Sequence, residues 1–139
     1  LDLDHINDSN EIKVKASHNA YLKNFGCIHN RAISIDKIKN KVVGQDKLIR
    51  KSTNLRIKYD VRFHLYPGLT AIQTLGGSNL VIQINKNKAL LFSTNEESLK
   101  IEKSIFFGGQ KVLDNYCIVI SGIMENNEKI INWEIVKKI

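Results

Sequence analysis

An all-β fold, a two-sheet antiparallel β-sandwich, is what this sequence predicts. Three observations carry the prediction. Apolar residues recur at every second position along most of the chain, and turn-forming residues break these runs about every 8–12 residues. No segment longer than about two turns keeps an apolar stripe at helical spacing.

Taken in order, the first ten residues, LDLDHINDSN, are polar and acidic and read as a loop or a frayed end. Glu11 to Ala16 sets Ile12 and Val14 on one face. Gly26 to Asp36 is a long strand carrying the β-branched Ile28, Ile33 and Ile35, and Lys41 to Leu48 follows a turn at Lys39-Asn40. The clearest element is Arg56 to Leu65. There Ile57, Tyr59, Val61, Phe63 and Leu65 alternate with Arg56, Lys58, Asp60, Arg62 and His64. Only a strand separates those two sets, because successive side chains point to opposite faces of a sheet. Pro67-Gly68 ends it, since proline cannot donate to a ladder and glycine suits a turn. Leu80, Ile82 and Ile84 precede an Asn85-Lys86-Asn87 turn and a return strand from Ala89 to Ser93, which together make a hairpin. Leu99, Ile101 and Ile105 alternate with Lys100, Glu102 and Ser104. Tyr116, Ile118 and Ile120 alternate with Cys117, Val119 and Ser121. Near the end, Ile131, Trp133 and Ile135 alternate with Asn132, Glu134 and Val136. Gly76-Gly77, Gly108-Gly109 and Glu125 to Glu128 supply the remaining turns.

At 139 residues the chain is one domain, residues 1–139, built on one core. Its 42% hydrophobic and 25% charged residues exclude a disordered segment. It opens on Leu1 instead of methionine, as an excised or processed domain would. No run approaches the roughly 20 apolar residues of a membrane span, and no membrane partner is expected. Cys27 and Cys117 could form a disulfide, but two lone cysteines inside strands are more commonly small core residues. A net charge of +7 favours an acidic partner, a description that a uronic-acid polysaccharide, a nucleic acid and an anionic membrane all fit. Much of it is scattered over Lys37, Lys39, Lys41, Lys47 and Lys51, the pattern of a solvated surface. LGGSN and FGGQK lack the spacing of a phosphate loop, and no nucleophile-elbow motif is present.

Several segments, in order, resemble the C-terminal region of the heparinase II/III-like family. Ser17 to Asp36 (SHNAYLKNFGCIHNRAISID) is similar to that family's SH-x-x-Y…F-G-x-x-H-x-R stretch, and Val43 to Leu48 (VGQDKL) to its G-x-D-x-L strand. RFHLYPGL (Arg62 to Leu69) resembles R-F-H-L-H-P, with Tyr66 in place of the second histidine. Ser104 to Gly122 resembles the S-x-Y-x-G…Q-I-V-L-S-G run, and Ile131 to Ile139 the closing strand. The resemblance implies the accessory β-sandwich of a two-part polysaccharide lyase whose N-terminal α-helical toroid carries most of the chemistry. In such lyases a tyrosine or histidine removes the C5 proton of a uronate, while an asparagine or histidine neutralises its carboxylate. It also implies a periplasmic or secreted setting, and an acidic polysaccharide as partner through the parent protein.

The family's H-x-H segment has no counterpart here, so no catalytic residue is assigned. No cofactor is expected, and the scattered His5, His18, His29 and His64 suggest no metal site. Candidate substrate-binding residues are Arg62 and His64, on the polar face of the best strand, and His29 and Arg31, near Tyr21 and Phe25. Guanidinium groups bind carboxylates bidentately. The alternative for His18 and His29 is structural, with both rings satisfied by hydrogen bonds between strands. For Arg62 and His64 it is a solvated face or one packed on the toroid. Two rival functions are a free-standing carbohydrate-binding module for acidic glycans and a basic β-domain for nucleic acid. An aromatic content of only 7% weighs against the second.

Overall fold

The computed structural model describes residues 2–53 and 56–138. It contains eleven strands among those residues: β1 (Asp2–Asn7), β2 (Glu11–His18), β3 (Cys27–Asp36), β4 (Lys41–Arg50), β5 (Ile57–His64), β6 (Thr70–Gln73), β7 (Asn79–Asn85), β8 (Lys88–Thr94), β9 (Ser98–Phe106), β10 (Leu113–Met124) and β11 (Glu128–Lys138). Among the described residues helix is confined to a single turn, α1 (Leu22–Phe25), which Gly26 closes in the left-handed region. All pairings are antiparallel. The large sheet runs β1-β2-β3-β4-β11-β8-β7-β6 and the small one β5-β10-β9. The two-sheet antiparallel sandwich expected from alternation is therefore the observed fold.

Residues 2–7, expected to be a loop or a frayed end, instead form β1, paired with β2 from Asp2↔Ser17 to Asn7↔Ile12. The pattern misled because β1 is an edge strand that buries almost nothing. Leu3 is 68% and Ile6 54% exposed, so burial never forced apolar residues onto one face. β6 also went unanticipated. It is four residues long, directly behind the Pro67-Gly68 turn. Leu1 and Ile139, the ends of the expected frayed segment and closing strand, lie outside the described residues.

β11 joins the two halves of the large sheet, pairing with β4 on one side and β8 on the other. Its inward residues Ile131 and Trp133 meet Leu48 of β4, Phe92 of β8, Leu80 and Ile82 of β7, and Val61, Ile118 and Ile120 from the small sheet in one core. Phe63 packs edge-on to both Phe92 and Trp133, with centroids 5.0 and 4.8 Å away. Gly44 lies opposite Trp133 in register, and a Cβ there would overlap the indole. Glycine is what lets the ring lie flat across β4.

β5 shows the predicted alternation: Ile57, Tyr59, Val61 and Phe63 face the core, while Lys58, Asp60, Arg62 and His64 are exposed. Cys27 and Cys117 are free, buried thiols on different sheets, so the disulfide alternative is not realised. Burial pushes both thiols up. Several lysines of the expected solvated surface pair across strands, as Lys47 does with Glu128 at 2.9 Å. Three strands cannot cover eight. The inner face of β1 and β2 stays open, leaving Leu3 and Val14 exposed, and a groove forms where this overhang meets the edge of β5. No helix is long and apolar enough to cross a membrane among the described residues.

Candidate functional site

On β3, Cys27, His29, Arg31 and Ile33 share the inward parity. On β4, so do Val42, Gly44, Asp46 and Leu48. Register sets Arg31 opposite Asp46, and His18 of β2 opposite His29. A carboxylate at an inward position is costly unless it is fully hydrogen-bonded, and Asp46 is 1% exposed. Its Oδ1 accepts from His29 Nε2 and from Arg31 Nε, both at 2.7 Å, and its Oδ2 accepts from Trp133 Nε1 at 2.9 Å. Burial pushes the Asp46 carboxyl up. The three hydrogen bonds and the Arg31 charge outweigh it and hold the group below the usual carboxylate range.

An ionised Asp46 orders the hydrogen bonds beyond it. His29 donates from Nε2, so its Nδ1 in the neutral ring accepts from His18 Nε2 at 2.9 Å. His18 Nδ1 then accepts from the backbone N–H of Ala20 at 3.3 Å. Desolvation, aided by neighbouring His29, pushes His18 below the ordinary histidine value. Tyr21 caps the pair edge-on, 5.0 Å from the His18 ring.

The groove holds about 550 Å³ and runs between this inner face and β5, with His18, His29 and Arg31 on one wall and Lys58, Asp60 and Arg62 on the other. Three of the four predicted residues, His29, Arg31 and Arg62, thus line one groove. His64 does not. It stands on the outer face of the small sheet, 3.3 Å from Ser104 Oγ. The three differ in what they can offer. His29 has both ring nitrogens occupied, as in the structural alternative, and is not free to remove a substrate proton. Arg62 is shared between Asp60 at 2.9 Å and Glu102 at 3.0 Å. Arg31 is anchored only through Nε, and its two terminal nitrogens meet no acceptor among the described residues. That is a carboxylate-sized fork facing the groove.

Sequence reasoning missed Asp46, although it lay in the quoted VGQDKL segment. The available signal was parity: a charged residue on the same face as Val42, Gly44 and Leu48 requires buried partners. Among the described residues, no three histidine, cysteine or acidic side chains converge as a metal site would need.

The molecule is therefore an antiparallel sandwich with a cation-lined groove on the open flank of its larger sheet. Residues 3–134 match the family model described as "Heparinase II/III-like, C-terminal", and the chain belongs to that family. Among solved structures, heparan sulfate lyase HepC from Pedobacter heparinus superposes with a TM-score of 0.80 at 12% identity, covering 97% of this chain and 21% of that one. A heparinase III gene product gives 0.72 at 10% identity, covering 94% and 20%. The chain thus spans about a fifth of the solved structures it matches, where the matching region is part of a larger protein. No curated protein sequence matches.

Proposed function

We propose that this chain is the accessory sandwich of a heparinase II/III-like polysaccharide lyase. In this reading it packs against an N-terminal α-helical toroid, is inactive by itself, and contacts an acidic glycan through its groove. The observation that carries the glycan contact is Arg31, fixed by buried Asp46 with its terminal nitrogens open to the groove. A uronate carboxylate or a sulfate matches that fork. Arg62 would add charge from the opposite wall, and Asp46 and His29 act as positioning residues. His64 lies outside this contact. The inactivity claim is supported by the occupied nitrogens of His29.

Titration of the chain with heparan sulfate oligosaccharides, followed by calorimetry, tests the reading. Binding should weaken with salt. Arg31→Ala should reduce it about tenfold or more, the scale of a lost charge-assisted contact, and Arg31→Lys should not restore it. Unchanged binding in Arg31→Ala, with circular dichroism showing an intact fold, removes the groove from the account. Growth of unsaturated-uronate absorbance with the chain alone removes the inactivity claim.

A further inference from the structure

The two edges of the small sheet differ. At β9, Gln73 Nε2 of β6 donates to Leu99 O at 2.9 Å, so a side chain from the large sheet closes on that edge. β5 has no such cover. It pairs with β10 alone, and its other edge looks into the groove, which is lined by all six residues from Ile57 to Arg62. Successive side chains point to opposite faces, so a cavity that meets every residue in turn meets the edge of the strand, where the backbone groups are. Leu65 N–H donates to Tyr116 O at 2.9 Å, and hydrogen-bonded pairs alternate along an antiparallel ladder. Tyr59, Val61 and Phe63 therefore turn their backbone groups toward β10, and Lys58, Asp60 and Arg62 turn theirs toward the groove. Among the described residues these groove-facing N–H and C=O groups meet no partner. Such an edge is a template for another strand.

The space suits one strand and no more. β1 and β2 project beyond the groove, and the same projection on a second molecule would strike them, so a second copy cannot approach edge to edge. A lone extended peptide can, with its inward side chains laid on the overhang. One end of the groove is apolar. Cys27 pairs with Arg50, whose Nη2 donates to Met124 O opposite Ile57, and there Tyr21 and Phe25 stand 46% and 56% exposed. The other end is cationic. Trp133 touches Phe63 and donates to Asp46, which anchors Arg31 through Nε. The net charge of +7 adds long-range attraction for an acidic segment.

We propose that β5 is a docking edge for an extended acidic segment of a partner protein, which adds a fourth strand to the three of the small sheet. The segment runs antiparallel to β5, the slightly more stable pairing. It sets a carboxylate inward at Arg31 and, four residues later, an apolar side chain inward at Tyr21 and Phe25. The inference does not rest on the glycan contact, which needs Arg31 and no backbone edge.

Heteronuclear NMR of the 139-residue chain, titrated with the peptide acetyl-Thr-Glu-Thr-Val-Thr-Leu-Thr-amide, tests it. Saturable shifts should appear at the amides of Lys58, Asp60 and Arg62 and at the Arg31 side chain, with Leu99 on the covered edge unmoved. Cross-strand neighbours share a face, so the threonines, outward like Lys58, Asp60 and Arg62, make the bonds to β5. N-methylating the threonines should weaken binding about tenfold or more, the scale of lost backbone hydrogen bonds. N-methylating the glutamate, valine and leucine removes donors on the far edge only and should leave binding in place. On the protein, Lys58→Pro deletes one groove-facing N–H at a position where an edge strand accepts proline. It should weaken binding where Lys58→Gln does not. Equal losses from the two methylation patterns would reveal a contact of charge alone and overturn the proposal. So would an absence of saturable shifts at the β5 amides, or peptide binding that Lys58→Pro leaves unchanged.

Discussion

Asp46 and Arg62 each sit at the centre of a multi-partner charge network in the same sandwich, but one side chain is 1% exposed and the other 44%. Around Asp46 the partners His29 and Arg31 come from β3 and Trp133 from β11, the two strands flanking its own, and the low-dielectric surroundings make every bond matter. Around Arg62, Asp60 and Glu102 reach across the outer face of the small sheet in water, where screening and side-chain entropy consume most of the attraction. A list of ion pairs would rank the two alike. Burial separates them: the Asp46 network holds the wall of the groove in place, and the Arg62 network decorates a surface.

The largest expected effect follows from removing Asp46. Asp46→Ala leaves Arg31 without its anchor and the Trp133 N–H unpaired, and should cost about 3–5 kcal/mol, the range for breaking a buried ion pair. Urea unfolding followed by Trp133 fluorescence reads it, and a loss below about 1 kcal/mol would put Asp46 in the same class as the surface pairs. The next effect is acid sensitivity. The folded-state value of His18 is depressed, so below its ordinary value near 6.5 the unfolded chain takes up a proton that the folded chain resists. Its contribution is complete at neutral pH and is lost as pH falls from about 6.5 through the depressed value. The urea midpoint should therefore drop between pH 7.5 and 5.5, and His18→Gln should flatten that dependence. An identical slope in the variant would assign the titration elsewhere. The smallest effect is Arg62→Ala, which should leave the urea midpoint unchanged within error. A marked loss would show that the outer network bears on the fold.

Alternation made β5 legible because it buries one face, so selection for burial writes a period of two into the sequence. Where a strand buries nothing, as in β1, the period is absent and the segment reads as loop. His29, Arg31 and Arg62 were found from residue type and strand parity. Their convergence was not, since it depends on how far β5 sits from the overhang of the large sheet, a tertiary quantity. Asp46 pairs with His29 and Arg31 through strand register, and no local pattern announces register between separated strands. His64 shares the face of Arg62 in sequence and in structure, yet Arg62 lines the groove and His64 does not.

The placement of β11 has a kinetic corollary. Without it the large sheet is two unconnected pieces, a four-stranded meander ending at β4 and a three-stranded one beginning at β8. Neither can zip to the other until the final strand slots between them and brings the indole that caps the core. Assembly is thus governed by contacts far apart along the polypeptide, which makes for slow collapse into order. During that wait, the flanks of β4 and β8 are the places where a stray strand from another molecule would lodge.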